Sequence, residues 1–327
     1  MIKYLVRRAL GWLLMIAVAA NVTYFLAWGF LDPRSNYVGR RPPLTPEQID
    51  NQLVPRNLSD TVPLVQRWWT WFSDILFHWN WGVSPTGQSV NEQVAYRMWV
   101  SAELVLGATI IMAALGIWLG VYTASRQYKL GDRIGQATSI LTMNINIIVA
   151  GLGVVLLAIN FNDWVGTTVF YVTGSSSPGV TGFFPTIVDA LQHVTLPTIA
   201  LVVIGYAQYH FLQRSLLLDN IKADYVRTAR AKGLTKEQAI RKHALRTSLI
   251  PVATQVAFTI PTIFTGAVLT ESIFAWQGMG RYFLDTINNN DINGVVAVAA
   301  FGAVLTAIGA MLADIAVVVL DPRVRVS

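Results

Sequence analysis

The sequence predicts an all-α membrane protein with six spanning helices and a large first extracytoplasmic segment. Three observations point there. Only 13% of the 327 residues are charged, against 54% hydrophobic, which is about half the charged share of an ordinary soluble domain. The apolar residues gather into runs of about twenty or more, the length a helix needs to cross a bilayer core about 30 Å thick. The formal net charge of +6 is concentrated in one stretch between two such runs. Cysteine is absent, which excludes a disulfide framework, a thiolate nucleophile and a cysteine-ligated metal.

The six expected spans cover residues 9–31, 99–124, 134–159, 194–216, 250–270 and 295–320. The first follows Lys3, Arg7 and Arg8, as a signal peptide would. Its apolar run exceeds a usual signal core and no small-residue cleavage site follows, so it reads as an uncleaved span. The third contains Asn144 and Asn146, two amides that in lipid must either line a path or tie helices together. The fourth is interrupted by Gln208, His210 and Gln213, and the fifth by Pro251 and Pro261. Proline is tolerated there when neighbours satisfy the freed carbonyls. Glu103 and Asp314 are carboxylates within spans.

With an even number of spans, both termini share one side. Placing them in the cytoplasm puts 17 of the 24 Lys and Arg in the shorter, inner segments, as the positive-inside bias requires. Residues 32–98 then lie outside. They begin with prolines 33, 42, 43, 46, 55 and 63 and end in Trp68, Trp69, Trp71, Phe72, Phe77, Trp79 and Trp81, the composition of a short helix at the headgroup level. Two further outer loops cover residues 160–189, with a Gly/Ser/Pro-rich turn at 174–179, and residues 271–294.

The inner loop at 214–246 holds nine basic and three acidic residues, so the chain's whole net charge resides in it. That location reads as positive-inside topology or as an interfacial helix drawn to anionic lipid, not as nucleic-acid binding. The loop reads as two short helices, 219–232 and 235–247. Gly233 stands where a left-handed C-terminal cap belongs, and Thr235 with Gln238 makes a capping box.

The string Asp224-Tyr225-Val226-Arg227-Thr228-Ala229-Arg230-Ala231-Lys232-Gly233-Leu234 resembles the EAA-type signature of binding-protein-dependent ABC importer permeases, in the form used by the peptide branch. Arg227, Thr228 and Ala229 stand where the wider signature has Glu-Ala-Ala, a departure usual in that branch. Arg7-Arg8, Leu44-Thr45-Pro46-Glu47-Gln48-Ile49, Glu271-Ser272-Ile273-Phe274, Gly278-Met279-Gly280-Arg281 and Asp321-Pro322-Arg323-Val324-Arg325 extend the likeness over nearly the whole chain. The sequence is similar to the B-type permease subunit of oligopeptide, dipeptide and nickel importers.

The resemblance implies the type I ABC importer permease fold and half of a heterodimeric pore working by alternating access in the inner (plasma) membrane. It implies a second, related permease, one or two cytoplasmic ATPase subunits carrying ATP and Mg, and an extracytoplasmic substrate-binding protein. Membrane lipid surrounds the assembly. Residues 214–249 would be the loop that couples to the ATPase, through Asp224, Tyr225, Arg227, Ala229, Arg230, Ala231, Lys232 and Gly233. Small Ala229, Ala231 and Gly233 would admit a partner backbone, while the charged residues fix orientation at the rim. Glu271, Gly278 and Gly280 are candidate gate or docking positions, and Asn144, Asn146 and Gln208 candidate pathway positions. Peptides lead as substrate, with a nickel chelate or an oligosaccharide as alternatives on the same machinery.

No cofactor or metal site is expected in this chain, and no catalytic residue. It lacks the G-x-x-x-x-G-K-[ST] phosphate loop, so ATP hydrolysis belongs to partners. No H-E-x-x-H spacing exists and no pair of facing carboxylates stands out, which argues against a membrane protease. A secondary transporter driven by an ion gradient is the remaining alternative. It would need a midplane ion site and inverted repeats, and neither is evident.

Overall fold

A computed structural model of the chain describes residues 2–39 and 41–320, with side chains at all of these except 2–6, 236, 260–266 and 316–320. Arg40 and the sequence motif at 321–325 lie outside the described residues. Among those described, the fold is all-α; Val83 and Ser89 form one isolated antiparallel bridge. The chain divides into two compact units, Met1–Ser101 with Gln277–Ala307 and Ala102–Trp276 with Ile308–Ser327.

In the first unit, α1 (Ile2–Phe30) is followed by a 3-10 turn, α2 (Pro46–Leu53) and α3 (Leu64–His78). The Leu44–Ile49 string is a helix start. Thr45 caps α2 by accepting from Gln48 N, Gln48 returns its side chain to Thr45 N, and Pro46 occupies the first turn, where its missing N–H costs nothing. The aromatic helix α3 is divided between two surroundings. Trp71 stacks on Tyr24 of α1 at 4.5 Å and Trp68 donates Nε1–H to Asn21 Oδ1 at 2.6 Å. Trp69, Phe77 and Trp79 face outward. The expected headgroup-level helix therefore also packs against α1. Buried Arg67 lies 3.6 Å over the Trp28 ring and reaches Asp60 at 3.2 Å.

The same unit contains the start of α4 (Val90–Ser125), α12 (Met279–Asn288) and the first part of α13 (Ile292–Leu320). Asp32 N donates to Asn290 Oδ1 at 3.0 Å, and Asn36 Nδ2 to Asn289 O at 2.6 Å. These bonds hold the segment after α1 to the turn before α13. Asp291 accepts from Gly294 N at 3.0 Å at the start of that helix, and a Cβ at Gly294 would come within 2.5 Å of Thr286 Cγ2.

The second unit is organised around α7 (Phe183–Ile221), which packs against α5 (Leu130–Met143), α6 (Ile147–Val165) and α10 (Leu245–Gly266). The remainder of α4 meets α7 at two glycines one turn apart. A Cβ on Gly116 would lie 2.5 Å from Tyr209 Cβ and 2.6 Å from Tyr206 O, and one on Gly120 would lie 2.8 Å from Gln213 Cβ. This is the small-xxx-small device by which membrane helices approach backbone to backbone. Asn162 braces the loop after α6, accepting from Val169 N at 2.9 Å and donating to Phe170 O at 2.8 Å. His193 stacks on Tyr171 at 4.3 Å.

The expected third span is two helices, because α5 ends at Met143 and α6 begins at Ile147. The asparagines make the break. Asn146 Oδ1 caps α6 by accepting from Ile148 N at 2.8 Å, while Asn144 Nδ2 bonds back to Ile140 O at 2.6 Å. Each amide serves its own helix, so they do not tie helices together. The expected fifth span falls on α10 and the short α11 (Val268–Ile273). By length and composition, five described helices could cross a membrane: α1, α4, α6, α7 and α13. Helices α4 and α7 exceed the lengths read from hydropathy at both ends.

The crossing at Gly116 predicts a specific lesion. Gly116→Val should lower the thermal midpoint of the detergent-solubilised chain, by about 1–3 kcal/mol of overpacking cost, while Gly107→Val, at a position with nothing within 4 Å, should leave it nearly unchanged.

Candidate functional site: the inner loop and its seat

Helix α8 (Asp224–Ala231) follows α7 after a break at Lys222 and Ala223. Asp219 and Asn220 therefore belong to α7, not to the first short helix as read from the sequence. Ala231 and Lys232 end α8 in a double-bonded left-handed cap. Gly233 has φ +93°, its N–H donates to Arg230 O at 3.0 Å, and Leu234 N donates to Ala229 O at 3.3 Å. Together these bonds satisfy carbonyls that the helix end would leave orphaned. Thr235 and Gln238 form the reciprocal capping box, at 3.0 and 3.3 Å.

The second short helix differs from its expectation. The turn α9 (Lys236–Ala239) passes through a π-helical turn, Ile240–Ala244, directly into α10. A π turn inserts one extra residue into a helix. Here it turns Ile240 and Ala244 inward and leaves Arg241 and Lys242 exposed.

One face of α8 is committed to the chain itself. Val226 and Ala229 are buried in a cluster with Ala124, Leu217, Ala239, Ile240 and Ala244, and Leu234 packs against it. Ala229 thus departs from the role read for it: at 7% exposure its methyl seats the helix and does not receive a partner. Asp224, Tyr225, Arg227, Arg230, Ala231, Lys232 and Gly233 remain exposed. Tyr225 donates its hydroxyl to Asn220 Oδ1, which anchors the ring to the end of α7. The Asp224–Arg227 pair at 3.7 Å is open to solvent and adds little to stability.

Beneath this seat lies a polar network that the sequence reading missed. Arg214 of α7 grips Asp132 of α5 with two bonds, Nε to Oδ1 at 2.9 Å and Nη2 to Oδ2 at 3.0 Å. Asp132 is 1% exposed and also accepts from Tyr128 N and Gln136 Nε2, each at 2.9 Å. Burial alone would raise its carboxyl, but the bonds from Arg214, Tyr128 and Gln136 outweigh that and hold it below the ordinary value. Nearby, fully buried His210 bridges two helices, with Nε2 2.9 Å from Thr123 Oγ1 of α4 and Nδ1 2.7 Å from Ser139 Oγ of α5. Gln213 Nε2 donates to Ser248 Oγ of α10 at 2.8 Å.

The sequence held a signal for part of this: an imidazole inside a span needs partners, and Gly116-x-x-x-Gly120 marks a close crossing. Nothing in the local pattern marked Asp132, whose partner lies 82 positions away.

The other candidate positions separate. Glu271 on α11 is fully buried, as are Gly278 and Gly280 at the start of α12. As surface docking contacts they do not fit this structure. Gly278 precedes the first turn of α12, where Met279 N donates to Ser101 Oγ at 2.7 Å. Asn144, Asn146 and Gln208 are exposed on the chain's own surface. Among the described residues, no group of three His, Asp or Glu is arranged to hold a metal.

Residues 116–326 match the family described as binding-protein-dependent transport system inner membrane component. The chain is 35% identical over 328 residues to an oligopeptide transport system permease protein, OppB, of Mycobacterium tuberculosis, covering 100% of each. It is 30% identical over 331 residues to the dipeptide transport system permease protein DppB of Bacillus subtilis, covering 99% of this chain and 98% of the relative. With the DppB of Escherichia coli K12 it shares 29% identity over 344 residues, covering 99% of each. The chain belongs to this family of inner membrane transport components: a multi-pass membrane protein with the type I importer permease fold, and a transport subunit in place of an enzyme.

Removing Arg214 should cost about 3–5 kcal/mol, because Asp132 left alone is a buried uncompensated charge. Arg214→Ala is therefore expected to unfold at markedly lower temperature, read by thermal denaturation in detergent. The folded carboxyl is held below its ordinary value, so its contribution is complete above the unfolded value of 3.8 and is lost as pH falls through the folded one. Wild type should lose this increment only below about pH 4, and Asp132→Asn should show no such acid step.

Proposed function

We propose that the chain is one half of the pore of an ATP-driven, binding-protein-dependent importer of oligopeptides or dipeptides, with both termini in the cytoplasm. A second, related permease completes the pore, a separate cytoplasmic ATPase supplies the energy with its own ATP and Mg, and an extracytoplasmic protein delivers the substrate. The curated relatives carry peptide transport in their names, and this supports the choice of solute.

The observation that carries the coupling role is the two-faced build of α8. Its inner face is locked into a bed of apolar side chains from α4, α7 and the π turn. Its outer face presents Tyr225, Arg227, Arg230 and Lys232. A groove on the ATPase would receive that outer face, with acidic groups opposite the three bases fixing orientation. Movement of the ATPase would then pass through α8 to the pore helices as a rigid-body shift. Substrate would pass between the two permeases, and the exposed Asn144, Asn146 and Gln208 are the polar groups this chain would offer there. Glu271, buried at the end of the expected fifth span, would support a gate from within the chain.

Gly233 provides the test. Its Cβ direction is open, with nothing within 4 Å, but its φ of +93° is one that residues with a side chain adopt at a cost of about 1–2 kcal/mol. In vesicles containing the whole importer, Gly233→Arg should reduce ATP-dependent peptide uptake at least about tenfold while the permease accumulates normally, and Gly233→Asn, which tolerates the left-handed region, should keep most of it. Normal uptake by the arginine variant would refute the coupling role. Ala229→Leu should instead lower thermal stability, because its side chain would enter the bed under α8.

A further inference from the structure

At the inner end of α4, three side chains stand in a column at four-residue spacing. Trp118 and Tyr122 are stacked with centroids 5.8 Å apart, and the Arg126 guanidinium lies 4.2 Å over the Tyr122 ring. The column follows the chemistry of a membrane boundary, from aromatic rings at the end of the span to a cation just beyond it. It forms one wall of a cavity of about 650 Å³ that Lys129 also lines, with Glu237 and Ile240 of the inner loop opposite. A second cavity of about 250 Å³ shares Arg126, Lys129 and Ile240 and adds Lys222. Two bases and one carboxylate thus line the larger cavity, and three bases line the smaller. Arg126 and Lys129 are exposed and form no ion pair with a described carboxylate. Basic pockets between membrane helices at the cytoplasmic side suit phospholipid phosphates.

We propose that this space is a binding site for one anionic phospholipid of the inner leaflet, of the phosphatidylglycerol type. The phosphodiester would sit between Arg126 and Lys129. Arginine pairs with phosphate oxygens in a two-pronged fashion, and its plane is already fixed by the Tyr122 ring. Glu237 can only accept hydrogen bonds, which matches the hydroxyls of a glycerol headgroup across the cavity. Trp118, 60% exposed, would lie along the glycerol backbone and the upper acyl chain. The site joins α4 to the turn that starts the second half of the inner loop, so the lipid would bridge a pore helix and the coupling segment. The assignment of leaflet rests on the orientation proposed above.

Native mass spectrometry of the full chain in detergent tests the site, with phosphatidylglycerol, phosphatidylethanolamine or glycerol 3-phosphate added. Wild type should retain one phosphatidylglycerol in preference to phosphatidylethanolamine, and glycerol 3-phosphate should not displace it. Each near-surface base is worth about 1 kcal/mol toward anionic lipid. Arg126→Ala with Lys129→Ala should therefore weaken retention about ten- to thirtyfold. Arg133→Ala, outside both cavities, should not. If the double variant fails to fold, Lys129→Ala alone should still weaken retention about fivefold. Equal retention by wild type and variant, equal loss in Arg133→Ala, or preference for phosphatidylethanolamine would overturn the proposal. Displacement by glycerol 3-phosphate would reassign the space to a soluble phosphate. None of these outcomes requires the ATPase, so ATP-driven uptake by wild type in vesicles judges the importer reading separately.

Discussion

The inner half of the second unit depends on how closely α4 and α7 approach. Two glycines remove the side chains that would hold the backbones apart, and every neighbouring contact is scaled to that short distance. His210 can touch Thr123 of α4 and Ser139 of α5 at once only because the two helices on either side of it are drawn in. One turn further, Arg214 then meets Asp132 in two-pronged geometry. Leu217, another turn on, meets Ala124 and forms part of the bed for α8. In lipid, where apolar burial gives helices little reason to associate, such packing and polar contacts carry the association. A buried pair of charges would otherwise be a poor stabiliser. Here it fixes which face of α5 meets α7.

Much of the architecture was legible in the sequence because lipid imposes long apolar runs and the chain must punctuate them. The left-handed cap at Gly233 and the box at Thr235 and Gln238 were readable because capping is local chemistry. The break at Asn144–Asn146 was not foreseen. Hydropathy averages over some twenty residues and cannot see two amides that each bond within their own helix. The direction in which Ala229 points also escaped, since its position in an eight-residue helix says nothing about which side is covered. That information lies in Leu217, Ala124 and Ala244, three separate parts of the chain.

The motifs that carried the family likeness divide in the same way. Leu44–Ile49 is a capped helix start that fixes α2 in the outer segment, and Gly278–Arg281 opens α12. Both are punctuation. Of these three, the loop at 224–234 combines a buried face with an exposed, charged one.

The π turn between α9 and α10 has a consequence for how force would divide. Helix α8 rests on the end of α7, while the segment after it continues without a joint into α10. Anything that moved α8 would therefore act on two helices through different attachments: apolar side-chain packing toward α7 and a continuous helical segment toward α10. Between those helices, Gln213 donates to Ser248. If α8 receives the stroke of a partner, as proposed, the arrangement would act as a differential, delivering one input as unequal displacements of two shafts.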